Sequence, residues 1–298
     1  MTPNISVTGL SRRYRDQLAL DDITFDIEGP SITGILGQNG AGKTTLLRII
    51  AALEFPTAGR VRVLGSSPLE NDTVLSRMML VREDQVFPNC RIQQILEVAS
   101  WFYPNWSGDL ADSLLEEFDL PPSRRIEQLS RGMRTAVSLI LGLAARTEVT
   151  LFDEPYAGLD AVARQRVSDR LLTEFSQLPR TMVVSTHQID EAADLLERVV
   201  LIDRGRVVLD AAPDEIRGSS TSVSGPTHAV EQFVAGRLTW ERRSAGSQTS
   251  AIVDGILDDG DRSQARELHL SLEALSLQQL MVHAAAQAAV GQTGRTST

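Results

Sequence analysis

The sequence holds one lysine among 29 basic residues, and that lysine lies within Gly37-Gln38-Asn39-Gly40-Ala41-Gly42-Lys43-Thr44. An ammonium is a compact point charge on a flexible stem. It reaches between phosphate oxygens, where a planar guanidinium is too wide for a backbone-lined cradle. The spacing G-x-x-x-x-G-K-[ST] is that of a phosphate-binding loop, in which glycines let backbone N–H groups converge on an anion. The Thr44 hydroxyl suits Mg²⁺. Residues 31–36 read as a buried strand, and residues 44–53 as a helix with apolar positions 46, 47, 49, 50 and 53. Strand, glycine loop and helix N-terminus in that order add the helix dipole to phosphate attraction. Binding of a nucleoside triphosphate is predicted.

A second group extends the chemistry. In Thr150-Leu151-Phe152-Asp153-Glu154-Pro155 an apolar strand ends in a carboxylate, which suits Asp153 to the Mg²⁺ shell beside a phosphate loop. Glu154, one residue further out, is positioned to polarise an attacking water as general base. The same three residues also read as an ordinary acidic helix N-terminus, so the pair alone does not decide.

Positioning these groups requires a large mixed core. The chain of 298 residues is long enough for one large domain and a small one. A formal net charge of −10 argues against a nucleic-acid-binding body, and the single cysteine, Cys90, excludes an internal disulfide. The longest apolar run, residues 136–145, is broken by Ser138 and Gly142 and falls well short of the ~20 residues a membrane span needs. The start, Met1 to Ser6, lacks the features of a signal peptide.

Alternating apolar positions at Ile5/Val7 and Ile23/Phe25/Ile27 predict half-buried strands. Residues 61–65 read as another strand, residues 73–145 as mostly helical, and residues 149–152 and 181–185 as further strands. Residues 199–202 and 206–209 predict a hairpin through Asp203-Arg204-Gly205. The aromatic cluster Trp101 to Trp106 reads as core or interface packing. Gly218 to Ser222 reads as a linker. Beyond it a strand (221–224), a helix (227–236), two strands (238–243, 249–254) and a helix around 272–286 form a small module, with 291–298 disordered. The predicted domains are 1–217, including a helical subdomain at about 73–145, and 218–290.

Leu129-Ser130-Arg131-Gly132-Met133-Arg134 opens a helix just before the carboxylate strand, and a generic phosphate-loop enzyme does not account for it. Over residues 4 to 215 the chain resembles the nucleotide-binding subunit of ABC transporters, whose signature reads Leu-Ser-Gly-Gly-Gln there. Arg131 and Met133 depart from that pattern. The resemblance implies an α/β P-loop NTPase of the ABC type, with a RecA-like core, an antiparallel β subdomain, a helical subdomain and here a small C-terminal α/β extension. It implies ATP hydrolysis with Mg²⁺ at a head-to-tail dimer, homo- or heteromeric, coupled to a separate permease. It also implies a cytoplasmic place on the inner face of the membrane, and no direct nucleic-acid partner.

Carried over residue by residue, nucleotide contacts fall on Tyr14 (stacking on adenine), Gly37, Gln38, Asn39, Gly40, Ala41, Gly42, Lys43, Thr44, Thr45, Ser130, Gly132 and Asp160. Catalysis falls on Lys43, Glu154 and His187, the last resembling the switch histidine that meets the γ-phosphate. Mg²⁺ falls on Thr44 and Asp153. The family's metal-facing glutamine has no clear equivalent. Counting back from Phe87-Pro88, its place is Arg82 or Glu83, and Gln85 stands too close to Phe87. A carboxylate ligates Mg²⁺ and a guanidinium does not, so Glu83 is assigned. The Phe102-to-Trp106 stretch and the C-terminal extension are similar to bacterial antibiotic-resistance-type exporters, which implies export through an ABC-2-like permease. Two other readings stand beside this one. A soluble ABC protein of ribosomes or DNA is disfavoured by the single phosphate loop and the absence of sustained heptads. A regulatory ATP binder without turnover is disfavoured by intact Asp153, Glu154 and His187.

Overall fold

The computed structural model describes residues 2–82, 84–217 and 220–281. They form two compact units divided between Asp210 and Ala211. The first contains β1 (Ile5–Tyr14), β2 (Gln17–Ile27), β3 (Ser31–Leu36), α1 (Lys43–Ile50) and β4 (Ala58–Val63). A short α2 (Asp72–Leu75) leads to β5 (Met78–Val81), α3 (Ile92–Phe102), α4 (Gly108–Glu117) and α5 (Arg131–Ala144). Then follow β6 (Val149–Asp153), α6 (Ala161–Gln177), β7 (Thr181–Thr186), α7 (Ile189–Ala192), β8 (Arg198–Asp203) and β9 (Arg206–Ala211).

Two sheets share one core. The antiparallel sheet has the order β2-β1-β4, and its inward residues Ile5, Val7, Ile23, Phe25 and Ile27 are buried. The six-stranded sheet has the order β5-β6-β7-β3-β8-β9, with β5, β6, β7, β3 and β8 parallel. Both of its faces are covered, which is why β6 and β7 are buried at every residue and their apolar residues stand side by side, as in Leu151-Phe152 and Met182-Val183-Val184, without alternation. Helix α1 lies between the sheets, packing Leu46, Leu47, Ile49 and Ile50 into their common core.

The region 73–145 is less helical than expected, because β5 lies inside it and completes the edge of the main sheet. Four residues of Met-Met-Leu-Val are too few to show a period, and their pairing with β6 decides their state. The β8–β9 hairpin turns through Arg204 and Gly205, both left-handed (φ +46° and +78°) as a tight two-residue hairpin requires.

The second unit holds α8 (Pro213–Arg217), β10 (Ser220–Pro226), α9 (Thr227–Val234), β11 (Thr239–Ala245), β12 (Gln248–Asp254), α10 (Asp259–Glu267) and β13 (Ser271–Ala274). Its sheet, in the order β11-β12-β10-β13, is antiparallel throughout. The β-α-β-β-α-β sequence is a ferredoxin-like split unit. Val223, Ala251 and Val253 from the sheet pack with Val230 and Phe233 of α9 and Ala265 of α10.

Three expectations are corrected here. Residues 220–222 of the expected linker are strand, paired with β12. The helix around 272–286 does not begin at 272, because residues 271–274 pair with β10 as β13; residues 277–281 are helical, and the remainder lies outside the described residues, as does 291–298. Helix α10 was not anticipated. It buries only Ala265 and so has no apolar stripe, although Asp258 and Asp261 cap it reciprocally.

Candidate functional site

The parallel strands β3, β6 and β7 end on one edge of the sheet, and their register sets the site. Leu36 pairs with Thr186, and Asp153 pairs with Ser185. Gly37, Glu154 and His187 therefore each stand one residue beyond a strand end, where open α/β sheets bind ligands.

The loop from Gly37 to Gly42 folds tightly against its surroundings. A Cβ on Gly37 would lie 2.2 Å from the Ile202 carbonyl oxygen. Gly42 caps α1 at φ +110°, and a Cβ there would lie 2.7 Å from the Ala19 carbonyl oxygen, so only glycine fits. Gln38, Asn39 and Gly40 form the exposed tip, while Ala41 is buried and accepts a bond from Gly205 N–H (3.0 Å). The first intrahelical bond runs from Leu46 N–H to Gly42 O (2.9 Å). The N–H groups of Gly42, Lys43, Thr44 and Thr45 thus have no acceptor within the helix, which makes this end of α1 attractive to an anion.

Lys43 is 6 % exposed. Its ammonium donates to Gly37 O (2.8 Å) and Gln38 O (3.2 Å) and lies 3.3 Å from Glu154 Oε1. Glu154 reaches back to it because its backbone is left-handed (φ +50°), a conformation costing about 1–2 kcal/mol for a residue with a side chain. Its N–H donates to Ser185 O and its carbonyl accepts from Ala157 N–H, which hold the turn. The second carboxylate oxygen of Glu154 lies 2.9 Å from His187 Nδ1. A carboxylate only accepts, so Nδ1 carries the proton and donates, leaving Nε2 for another partner.

Asp153 accepts hydrogen bonds from Ser185 and Thr44. Burial pushes its carboxyl above the usual carboxylate range, against the pull of those two bonds and of Lys43. A hydroxyl and a carboxylate in contact beside a phosphate cradle fit a Mg²⁺ site, since this ion takes few protein ligands and completes its shell with water and phosphate. No three His, Cys, Asp or Glu side chains cluster as a metal cage among the described residues. Glu83 lies outside the described residues. Ser185 was not foreseen; its signal is a polar residue directly after the Met182-Val183-Val184 run of a wholly buried strand.

This environment has a consequence for the nucleotide-free protein. The folded-state proton affinity of Asp153 exceeds the unfolded one, so its ionised form lowers stability at neutral pH. That loss fades as pH falls through the folded and then the unfolded value. Asp153→Asn removes the buried charge while leaving an amide oxygen that can accept from Ser185. It is expected to raise Tm at neutral pH, with the gain shrinking on acidification. A lower Tm at neutral pH, measured by calorimetry, would show that the charge itself holds the site together.

The signature residues form a separate group. Ser130 caps α5 by accepting from Met133 N–H (3.2 Å), and Asp160 caps α6 by accepting from Ala163 N–H (2.8 Å). Gly132 faces the loop between them, where a Cβ would lie 2.8 Å from Gly158 O. Thr135 donates to Ala157 O (2.9 Å), so the start of α5 and the loop after Glu154 are bonded together. Tyr14, at the end of β1, gives its hydroxyl to Glu54, and the Arg12 guanidinium lies 4.5 Å from the centre of its ring.

Residues 20–157 match the family model described as ABC transporter. The daunorubicin resistance ATP-binding protein DrrA3 of Streptomyces coeruleorubidus is 33% identical over 223 residues, covering 72% of this chain and 70% of the relative. The phosphonates import ATP-binding protein PhnC 1 of Rhodopseudomonas palustris is 30% identical over 226 residues, covering 70% and 84%. Among solved structures, an ATP-binding subunit of an ABC transporter superposes with a TM-score of 0.65 at 26% identity, over 72% of this chain and 91% of that one. The chain belongs to the ATP-binding proteins of the ABC transporter family. It is an ATPase subunit of such a transporter, binding and hydrolysing ATP.

Proposed function

We propose that the cluster at the ends of β3, β6 and β7 is the hydrolytic centre and that the signature face serves the nucleotide of a second ATPase subunit, identical or related. The carrying observation is that Glu154 holds Lys43 through one carboxylate oxygen and His187 through the other. Arriving phosphates take over the Lys43 ammonium and free one oxygen of Glu154. Glu154 then accepts a proton from water as the water oxygen bonds the γ-phosphorus, and the β–γ bridging oxygen leaves with ADP. The Nε2 atom of His187 turns toward the γ-phosphate while Nδ1 stays anchored. Thr44 and Asp153 would hold Mg²⁺, which when bound neutralises charge on the β- and γ-oxygens; Glu83 is the third ligand from this chain in this reading. Tyr14 stacks on adenine.

The partner reading rests on α3. Val98, Trp101 and Phe102 are 44%, 71% and 68% exposed, and their spacing places them on one helix face. The alternative that Trp101 and Phe102 are core residues is excluded by that exposure. An apolar patch of this kind marks a protein interface. No helix among the described residues is long and apolar enough to cross a membrane. We assign the patch to a permease of the ABC-2-like type, which places the subunit on the inner membrane face. The antibiotic-resistance relatives favour export, while the phosphonates import relatives support import as the second reading.

The double variant Trp101→Asp with Phe102→Asp should bind ATP like the parent, yet lose copurification with a co-expressed multi-span permease. Undiminished recovery of the complex would remove α3 from the interface.

A further inference from the structure

Helix α1 begins at the phosphate loop, and in its last turn the Arg48 guanidinium divides between two acids from different loops. Its Nη1 lies 3.5 Å from Glu54 Oε1, and its Nη2 donates to Asp84 Oδ2 at 2.8 Å. Glu54 in turn holds the hydroxyl of Tyr14 through its other oxygen. The other oxygen of Asp84 lies 3.6 Å from Arg82 Nε, in the segment that leaves β5. One chain of contacts thus runs from Tyr14 through Glu54, Arg48 and Asp84 to Arg82, and the rigid helix that presents Lys43 stands at its centre.

These groups are partly exposed, and such pairs contribute little to global stability. A cation in the last turn of α1 is already favoured by the helix dipole, so Arg48 would be accommodated without either acid. What the fork adds is geometry. A planar guanidinium meets two acceptors in set directions, and both loops take their place from one helix.

We infer that Arg48 is a positioning residue that couples the base-side aromatic, Tyr14, to the segment following β5. The inference rests on the readings above that Tyr14 stacks on adenine and that Glu83, between Arg82 and Asp84 in sequence, is a Mg²⁺ ligand. A base on Tyr14 fixes the ring and with it Glu54; Arg48 carries that constraint to Asp84. Occupancy by the correct base thereby steadies the segment that must be in place for hydrolysis.

Steady-state hydrolysis by the full chain, with ATP varied, tests this. Glu54→Gln is expected to raise KM about threefold to tenfold with little change in kcat, and Asp84→Asn to lower kcat by a similar factor with little change in KM. Arg48→Ala should do both, and adding either acid substitution to it should change nothing further, the non-additivity of residues in one network. Arg48→Lys, a point charge, should restore one parameter and not both. In a Tyr14→Ala background, Glu54→Gln should lose its effect on KM. If Tyr14→Ala leaves KM unchanged, the stacking reading fails and takes the inference with it. If Tyr14→Ala raises KM while Arg48→Ala leaves both parameters alone, or the three variants lower only Tm, stacking stands and the coupling is overturned.

Discussion

Glu154→Gln is expected to slow hydrolysis by about 10²–10⁴, the scale of losing a general base, without weakening ATP binding. The geometry explains why the two effects separate. The amide oxygen still accepts from His187 Nδ1, so the histidine keeps its orientation, while the amide takes no proton from water. In the free protein the carboxylate also competes with nucleotide for Lys43, at 3.3 Å. Removing its charge relieves that competition, so affinity should be equal or higher. With turnover blocked, ATP should hold two chains together, seen as a shift to dimer by gel filtration. Phosphate release within about tenfold of the parent rate would remove Glu154 from the base role.

Lys43→Arg is expected to weaken ATP binding nearly as much as Lys43→Ala, by about 10- to 100-fold, as the loss of charge-assisted hydrogen bonds predicts. The side chain lies in a slot 6 % exposed, and its three donors diverge to Gly37 O, Gln38 O and Glu154. A tetrahedral ammonium points three ways at once; a planar fork does not, and it is larger than the slot. The solitary lysine makes the same point, since every other basic position in this chain is arginine. The alanine variant has an added consequence, because Glu154 is then left buried without its cation. Titration calorimetry decides: arginine binding within about threefold of the parent would sink the point-charge argument.

Much of the site was legible because its parts are short, local and chemically unusual. The glycines at 37 and 42 stand where backbone closely approaches another chain segment, and Asp153 and His187 close or follow wholly buried strands. The second unit was legible only in outline. Strand β12 and helix α9 carry apolar periods, whereas α10 is polar on nearly every side and β13 is four residues long. An element without an apolar face leaves no period, and only its cap or its pairing partner defines it. The aromatic cluster that begins in the last turn of α3 shows the converse limit. Composition identifies apolar surface, but whether Trp101 and Phe102 turn inward depends on which face of α3 meets its neighbours.

By itself, the sequence determined which groups meet phosphate and in what order along the chain, because a loop that wraps an anion is made by consecutive residues. Tertiary structure alone decided how residues over a hundred positions apart share one site. Strand register places Asp153 beside Ser185 and brings His187 to Glu154, and the left-handed turn at Glu154 aims its carboxylate at Lys43. Register and turn conformation follow from burying both sheet faces at once, a condition on the whole core that no local stretch of residues carries.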